Sequence, residues 1–249
     1  MKIIRFTTFC IIIILTGIVY LPLLFLLFPI HRKAGPLLLQ FASGILLRIL
    51  NVKILSADRI DRSIKRNKHI IILSNHVNIL DIFLLSRLYR SVFVSKVEIK
   101  YYPLFGQVAW LMGTVFLRRS STKERHRLIR TIADKANGRI VSIFPQGTTS
   151  RFSDPLPFKR GIFKSVEFNS NTVLLPVTLH YKEEGKIIWT DDQSLIKNIW
   201  EICRLNGMHV KIKIRKEITI EDYRNNSISE ICSIAHERVF SPLWEEIQQ

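Results

Sequence analysis

The stretch HIIILSNHVNILDIFLLSRL, residues 69–88, changes character twice. HIIILS (69–74) is an unbroken run of mostly β-branched apolar residues and reads as a buried strand. ILDIFLLSRL (79–88) reads as a mostly buried helix. Between them lie Asn75, His76, Val77 and Asn78. Asn78 stands where a helix N-cap is needed, with Asp81 at the third helical position, a spacing that lets the two cap each other. His76 therefore falls on the turn between strand and helix, where α/β folds expose their sites.

Working outward, the same alternation continues. NVKIL (51–55), VFVS (92–95), TVFL (114–117), RIVSIFP (139–145), VLLPVTLHY (173–181), KIIWT (186–190) and HVKIKIRKEI (209–218) read as strands. PLFGQVAWLMG (103–113), TKERHRLIRTIADKAN (122–137) and a tail from Ser227 to about Ile247 read as helices. Ser121 with Glu124 has capping-box spacing at the start of the second of these, and Gly138 ends it. The pattern predicts an α/β fold with a central, mostly parallel sheet flanked by helices.

The chain carries 37 Lys and Arg against 20 Asp and Glu, a formal net charge of +17. That balance implies an anionic partner: nucleic acid, an anionic lipid surface or a phosphorylated substrate. No nucleic-acid-binding motif is present, so no nucleic-acid partner is expected. The three cysteines, Cys10, Cys203 and Cys232, form no C-x-x-C pair. His31, His69, His126, His180, His209 and His236 have no ligand-like spacing, and no metal is expected.

The N-terminus narrows the partner. Residues 6–30, FTTFCIIIILTGIVYLPLLFLLFPI, contain no charge. The run is long enough for a hydrocarbon core of about 30 Å, although Pro22 and Pro29 also permit a kinked or interfacial helix. AGPLLLQFASGILLRIL (34–50) is shorter and suits the interface, with Arg32, Lys33, Arg48 and Lys53 toward anionic headgroups. Residues 1–50 are thus expected to be a membrane anchor of one or two helices, and residues 51–249 the main domain. Positive charge after the first segment exceeds that before it, which favours the cytoplasmic face for the domain.

The spacing of His76 and Asp81 has a chemical reading. His76 can take a proton from a hydroxyl while Asp81, on the first turn of the helix, accepts from the other ring nitrogen. A capping carboxylate beside a structural histidine has the same spacing. No serine or cysteine stands in a G-x-S-x-G-type context, which favours direct attack by a substrate hydroxyl.

Four ordered blocks carry a resemblance. NHVNILD (75–81) resembles the N-H-x-S-x-x-D block of the 1-acyl-glycerol-3-phosphate acyltransferase family of glycerolipid acyltransferases. GTVFLRR (113–119), FPQGTTS (144–150) and VLLPVTL (173–179) resemble its later blocks, in order and rough spacing. The resemblance implies a glycerolipid-acyltransferase-like domain and acyl transfer from an acyl thioester, on CoA or acyl carrier protein, to a lysophospholipid hydroxyl, with no cofactor. His76 would be the base and Asp81 its orienting partner. Arg119 falls on the family's phosphate-binding arginine and Lys96 on its basic position; Gln146, Gly147 and Thr148 belong to the third block.

Three positions depart from the pattern. Asn78 replaces the usual serine, and both cap helices well. Gln146 replaces glutamate, keeping an acceptor and adding donors, with altered headgroup preference as the expectation. Thr149 replaces arginine, leaving Arg151 as the candidate for the same phosphate. Pro145 and Gly147 suit a tight loop in which Gly147 takes φ > 0. Lys159 and Arg160, in FKRGIFK, are further candidates for the phosphate. Lysophosphatidic acid is the expected acceptor; another lysolipid, or a catalytically silent lipid-binding relative, are the alternatives.

Overall fold

A computed structural model of the chain describes residues 2–11, 14–15, 28–62, 64, 69–102, 105–111, 113–117, 129–132, 134, 136, 138–168, 171–190 and 192–241. Among them, seven strands form one sheet: β1 (Val52–Ala57), β2 (His69–Ser74), β3 (Val92–Lys96), β4 (Val115–Leu117), β5 (Val141–Ile143), β6 (Thr172–Tyr181) and β7 (Met208–Ile214). Their order is β1-β7-β6-β2-β5-β3-β4. Every pair is parallel except β6 with β7. Strands β6, β2, β5, β3 and β4 therefore share one direction, and their C-terminal ends open on one edge.

β2 is the middle strand of the whole sheet, paired to β5 and β6. Its apolar run is explained by burial on both faces. Ile70 and Ile72 enter one core with Leu80, Phe83 and Leu84 of the Leu80–Tyr89 helix and Ile199 and Ile202 of the Leu195–Arg204 helix. Ile71 and Leu73 enter the other, with Ile132, Phe163 and Ile231, Ala235 and Val239 of the Ile228–Phe240 helix. Each such side chain, fully removed from water, contributes about 1.5–3 kcal/mol before the entropy of ordering it. The Leu80–Tyr89 helix ends at Arg90, which takes the left-handed conformation (φ 53°) and donates its N–H to Ser86 O at 3.0 Å.

KIIWT is not a strand. Residues Glu184–Ile187 form a single helical turn and 188–190 follow as irregular chain. Ile187 is buried, and Trp189 N donates to Val77 O at 3.0 Å, so the apolar run plugs the turn beside His76 instead of joining the sheet. A short apolar run does not by itself distinguish these outcomes. Of the 122–137 helix, the described residues 129–132, 134 and 136 are helical, and Gly138 follows with φ 78°.

At the N-terminus, residues 2–11 are helical, and a second helix, Phe28–Ile49, continues through Pro36. Among the described residues no helix is long and apolar enough to cross a membrane; most of the uncharged run's centre, 12–13 and 16–27, lies outside them. The expected anchor shares a core with the domain. Phe9 meets Phe83 edge-on at 6.3 Å, Phe6 meets Trp200 at 5.2 Å, and Leu46, Leu47 and Leu50 are buried in the same cluster as β2. Its outer side stays apolar and open, with Ile3, Ile4, Leu37, Leu38 and Phe41 exposed.

Candidate active site

The turn after β2 is built from buried polar groups that bond to one another, with Ser74 Oγ and Asn78 Nδ2 left without a partner among the described residues. Asn75 is buried, and its amide extends the ladder beyond Ser74: Nδ2 donates to Leu179 O and Oδ1 accepts from Leu179 N, each at 2.8 Å. Asn78 Oδ1 accepts from Leu80 N at 2.8 Å, while Asp81 Oδ2 accepts from Asn78 N at 3.0 Å. The helix N-cap is Ile79, one residue after the Asn78 that the spacing predicts, and Asp81 caps the turn ahead of it through Asn78 N.

Asp81 does more than cap. It is fully buried, and Oδ2 also accepts from Val77 N at 2.6 Å and from His76 Nδ1 at 2.7 Å. A carboxylate only accepts, so Nδ1 carries the proton and the Nε2 lone pair of the neutral ring is available. The His76 ring lies flat on Phe144, with centroids 4.0 Å apart and planes 9° apart. Its side chain retains 16% exposure, and it lines a cavity of about 1150 Å³.

That cavity is large and mostly apolar. Ile79, Ile82, Phe83, Phe93, Ile132 and Ile143 line it, with Lys96, Glu98, Lys159, Arg160, Gly147, Thr148 and Thr149 among its other members. Lys96 reaches it from the end of β3, and Gly147 and Thr148 from the loop after β5, because parallel strands deliver these ends to one edge. Gly147 takes φ 77° and donates its N–H to Phe144 O at 3.0 Å, forming the tight turn expected of this loop. Ser150 N donates to His76 O at 2.9 Å and ties the loop to the histidine turn.

Two predicted binding residues lie elsewhere. Gln146 is 2% exposed and braces the loop. Its Oε1 accepts from His76 N at 3.3 Å, and its Nε2 donates to Ser150 Oγ and to Leu156 O, the latter at 3.3 Å. A glutamate could not donate to that carbonyl. Gln146 therefore does not reach the cavity as a headgroup contact. Arg151 points away as well: it lines a separate cavity of about 440 Å³ with Ser153, His180, Tyr181, Lys182 and Glu184. Phe152 N donates to Glu184 Oε1 at 2.5 Å and fixes that direction. Thr149 donates its hydroxyl to Trp189 O. Arg119 and the neighbouring basic residues 118 and 123–127 lie outside the described residues.

Sequence reasoning did not find Tyr181. It is buried, and its hydroxyl donates to Asp81 Oδ1 at 2.6 Å. Burial, then the Asp81 charge and hydrogen bond, push its phenol well above the usual value, so it stays a donor. The signal was present only in three dimensions: β6 pairs with β2 as far as Val177 opposite Ser74, which carries Tyr181 alongside the turn. The cysteines offer no competing nucleophile. Burial raises all three thiols, Cys203 to about 11, with Cys10 adding to that rise.

The fold and site thus define an α/β protein in which a central parallel strand delivers a carboxylate-held histidine to an apolar cavity with basic residues in its lining. The chain belongs to the Acyltransferase family, which matches residues 57–180. It is 33% identical over 147 residues to the 1-acyl-sn-glycerol-3-phosphate acyltransferase of Neisseria gonorrhoeae, covering 57% of this chain and 58% of that protein. It is 25% identical over 207 residues to the lyso-ornithine lipid O-acyltransferase of Rhizobium meliloti (strain 1021), covering 76% and 70%. The fold matches the crystal structure of the 1-acyl-sn-glycerophosphate acyltransferase PlsC from Thermotoga maritima with TM-score 0.66 and 19% identity, over 96% of this chain and 95% of that one.

Proposed function

We propose that the protein transfers a fatty acyl group from an acyl thioester, on CoA or acyl carrier protein, to the free hydroxyl of a lysophospholipid. The observation that carries this is the 2.7 Å contact between His76 Nδ1 and Asp81, with the same histidine lining the large apolar cavity. His76 Nε2 takes the proton of the acceptor hydroxyl as its oxygen attacks the thioester carbonyl. The tetrahedral intermediate collapses, the carbon–sulfur bond breaks, and the imidazolium returns its proton to the leaving thiolate. Asp81 holds the ring's tautomer and offsets its transient charge. Apolar walls suit acyl chains, while Lys96, Lys159 and Arg160 suit an anionic headgroup.

Lysophosphatidic acid is the first acceptor to try, with phosphatidic acid as product; the Neisseria relative's name supports it. A second reading, another lysolipid, is favoured by one observation. Thr149 stands where the family carries an arginine, and its hydroxyl is held by Trp189 O, while Arg151 lines the other cavity. Phosphate recognition then falls to Lys96, Lys159 and Arg160, and the relatives include a lyso-ornithine lipid acyltransferase. We infer that the protein works at the surface of an anionic membrane. Its +17 charge and the exposed apolar side of the N-terminal helices support this, and the flanking charges favour the cytoplasmic face.

The test is to supply the full chain in liposomes with acyl-CoA or acyl carrier protein thioester. Lysophosphatidic acid and lyso-ornithine lipid are offered in parallel and diacyl product is measured. Product with one acceptor and little with the other assigns the headgroup. No product with either acceptor and either donor would overturn the acyl-transfer reading.

A further inference from the structure

We propose that Tyr181 is a positioning residue for the His76–Asp81 pair, holding the carboxylate oxygen that the histidine does not use. The inference rests on His76 acting as the base. Asp81 Oδ2 accepts from His76 Nδ1 and from the N–H groups of Val77 and Asn78. Oδ1 accepts from Tyr181 Oη at 2.6 Å. Both residues are buried, at 0% and 2% exposure, so bulk water does not readily take the tyrosine's place. Anchoring one oxygen leaves the carboxylate plane free to tilt about it; anchoring the second fixes the plane and so the direction in which Nδ1 is held.

The phenol also has an electrostatic effect. By donating to Oδ1 it draws negative charge away from Oδ2 and weakens the pull on the imidazole proton. Without it, Asp81 stabilises the imidazolium more strongly, and His76 holds a proton to higher pH. A histidine already protonated cannot accept the acceptor's hydroxyl proton. Tyr181 thereby moderates the pull of Asp81 on the Nδ1 proton while leaving Asp81 able to support the transient imidazolium.

Its place in the fold makes this specific. Tyr181 is the last residue of β6, and the Asn75–Leu179 pair carries the β2–β6 register past Ser74 to it. Beyond Tyr181 lies the smaller cavity with Arg151, Lys182 and Glu184. Glu184 interacts electrostatically with Asp81 and with Arg151, and His180 with Lys211. On the other side, Lys96, Glu98, Lys159 and Arg160 line the cavity that His76 faces. All of these remain when only the phenolic oxygen is removed, so the difference between the two proteins reports that oxygen.

The experiment compares wild type, Tyr181→Phe and His76→Ala as full chains in liposomes, with acyl-CoA and lysophosphatidic acid. It measures kcat and KM against pH, and separately follows the His76 imidazole titration by NMR. Tyr181→Phe is expected to lower kcat roughly 10-fold with KM almost unchanged. The acid limb of the profile and the imidazole titration should both move to higher pH. Fluorotyrosine at position 181, a stronger donor that keeps the shape, should move both the opposite way, and this arm stands if Tyr181→Phe fails to fold. Unchanged kcat and unchanged titration in Tyr181→Phe, with His76→Ala inactive, would overturn the role of Tyr181 alone. Full activity in His76→Ala would overturn the base itself and Tyr181's role with it.

Discussion

Two cavities flank the Asp81–Tyr181 hydrogen bond. The one that His76 lines is about 1150 Å³ and mostly apolar, with Lys96, Lys159 and Arg160 in its wall. The one that Tyr181 lines is about 440 Å³ and polar, with Arg151, Lys182 and Glu184. Only the first combines room for an acyl chain with cations and a ring nitrogen able to accept a proton. The buried carboxylate of Asp81 links the residues that line them, with Oδ2 accepting from His76 and Oδ1 from Tyr181. Chemical function here follows from what lies against each oxygen, more than from the carboxylate itself.

That contrast can be broken most severely at Asp81. Asp81→Asn should reduce kcat about 10²–10³-fold, because an amide at that position does not hold the Nδ1–H tautomer as a carboxylate does. Loss of the charge-assisted bonds from Val77 N and Asn78 N should also lower stability by about 1–3 kcal/mol, read from urea unfolding. A smaller loss is expected from Lys159→Ala with Arg160→Ala. KM for an anionic lysolipid should rise roughly 10-fold, with kcat changed much less. Equal KM in the double variant would remove the headgroup from this cavity.

Filling the apolar wall is the next step down. Ile82→Trp should reduce kcat/KM for long-chain donors several-fold and for short-chain donors less, a discrimination on the order of 1–2 kcal/mol. The polar cavity should respond hardly at all: Arg151→Ala is expected to leave transfer within about 2-fold of wild type. A 10-fold rise in KM would return Arg151 to the acceptor site.

His180 gives that cavity a separate signature in stability. Burial first, and then Lys211, lower its pKa to about 4, from 6.5. The folded state therefore binds fewer protons than the unfolded chain between those values. The stabilisation is full above about pH 6.5 and is lost as pH falls toward 4. His180→Phe, which retains an aromatic ring for the 4.7 Å stack on Phe152, should flatten the melting temperature across that window relative to wild type. Activity at neutral pH should change little.

How much of this could be read along the chain depended on sequence distance. The strand–turn–helix around His76 was legible because capping and tautomer control both act across five residues or fewer. The alternation of strands and helices was legible because buried parallel strands need continuous apolar runs. Tyr181 was not, since its contact with Asp81 spans 100 residues and exists only because β6 lies beside β2. The cavity that Arg151 lines was not legible, because two residues along a loop fix no direction. Gln146 invited a substrate role by its block, but its amide is engaged by the loop that it braces. KIIWT had the composition of a strand, but Trp189 N bonds to Val77 O at the histidine turn.

The central assignment, His76 as the group that takes the acceptor's proton, is met most directly by single-turnover acyl transfer with His76→Gln. Glutamine approximates the volume and can still donate to Asp81, but has no basic nitrogen. With lysophosphatidic acid and acyl-CoA in liposomes, the rate of diacyl product formation should fall about 10²–10⁴-fold while the melting temperature stays close to wild type. A variant that transfers acyl groups within a few-fold of wild type would contradict the assignment.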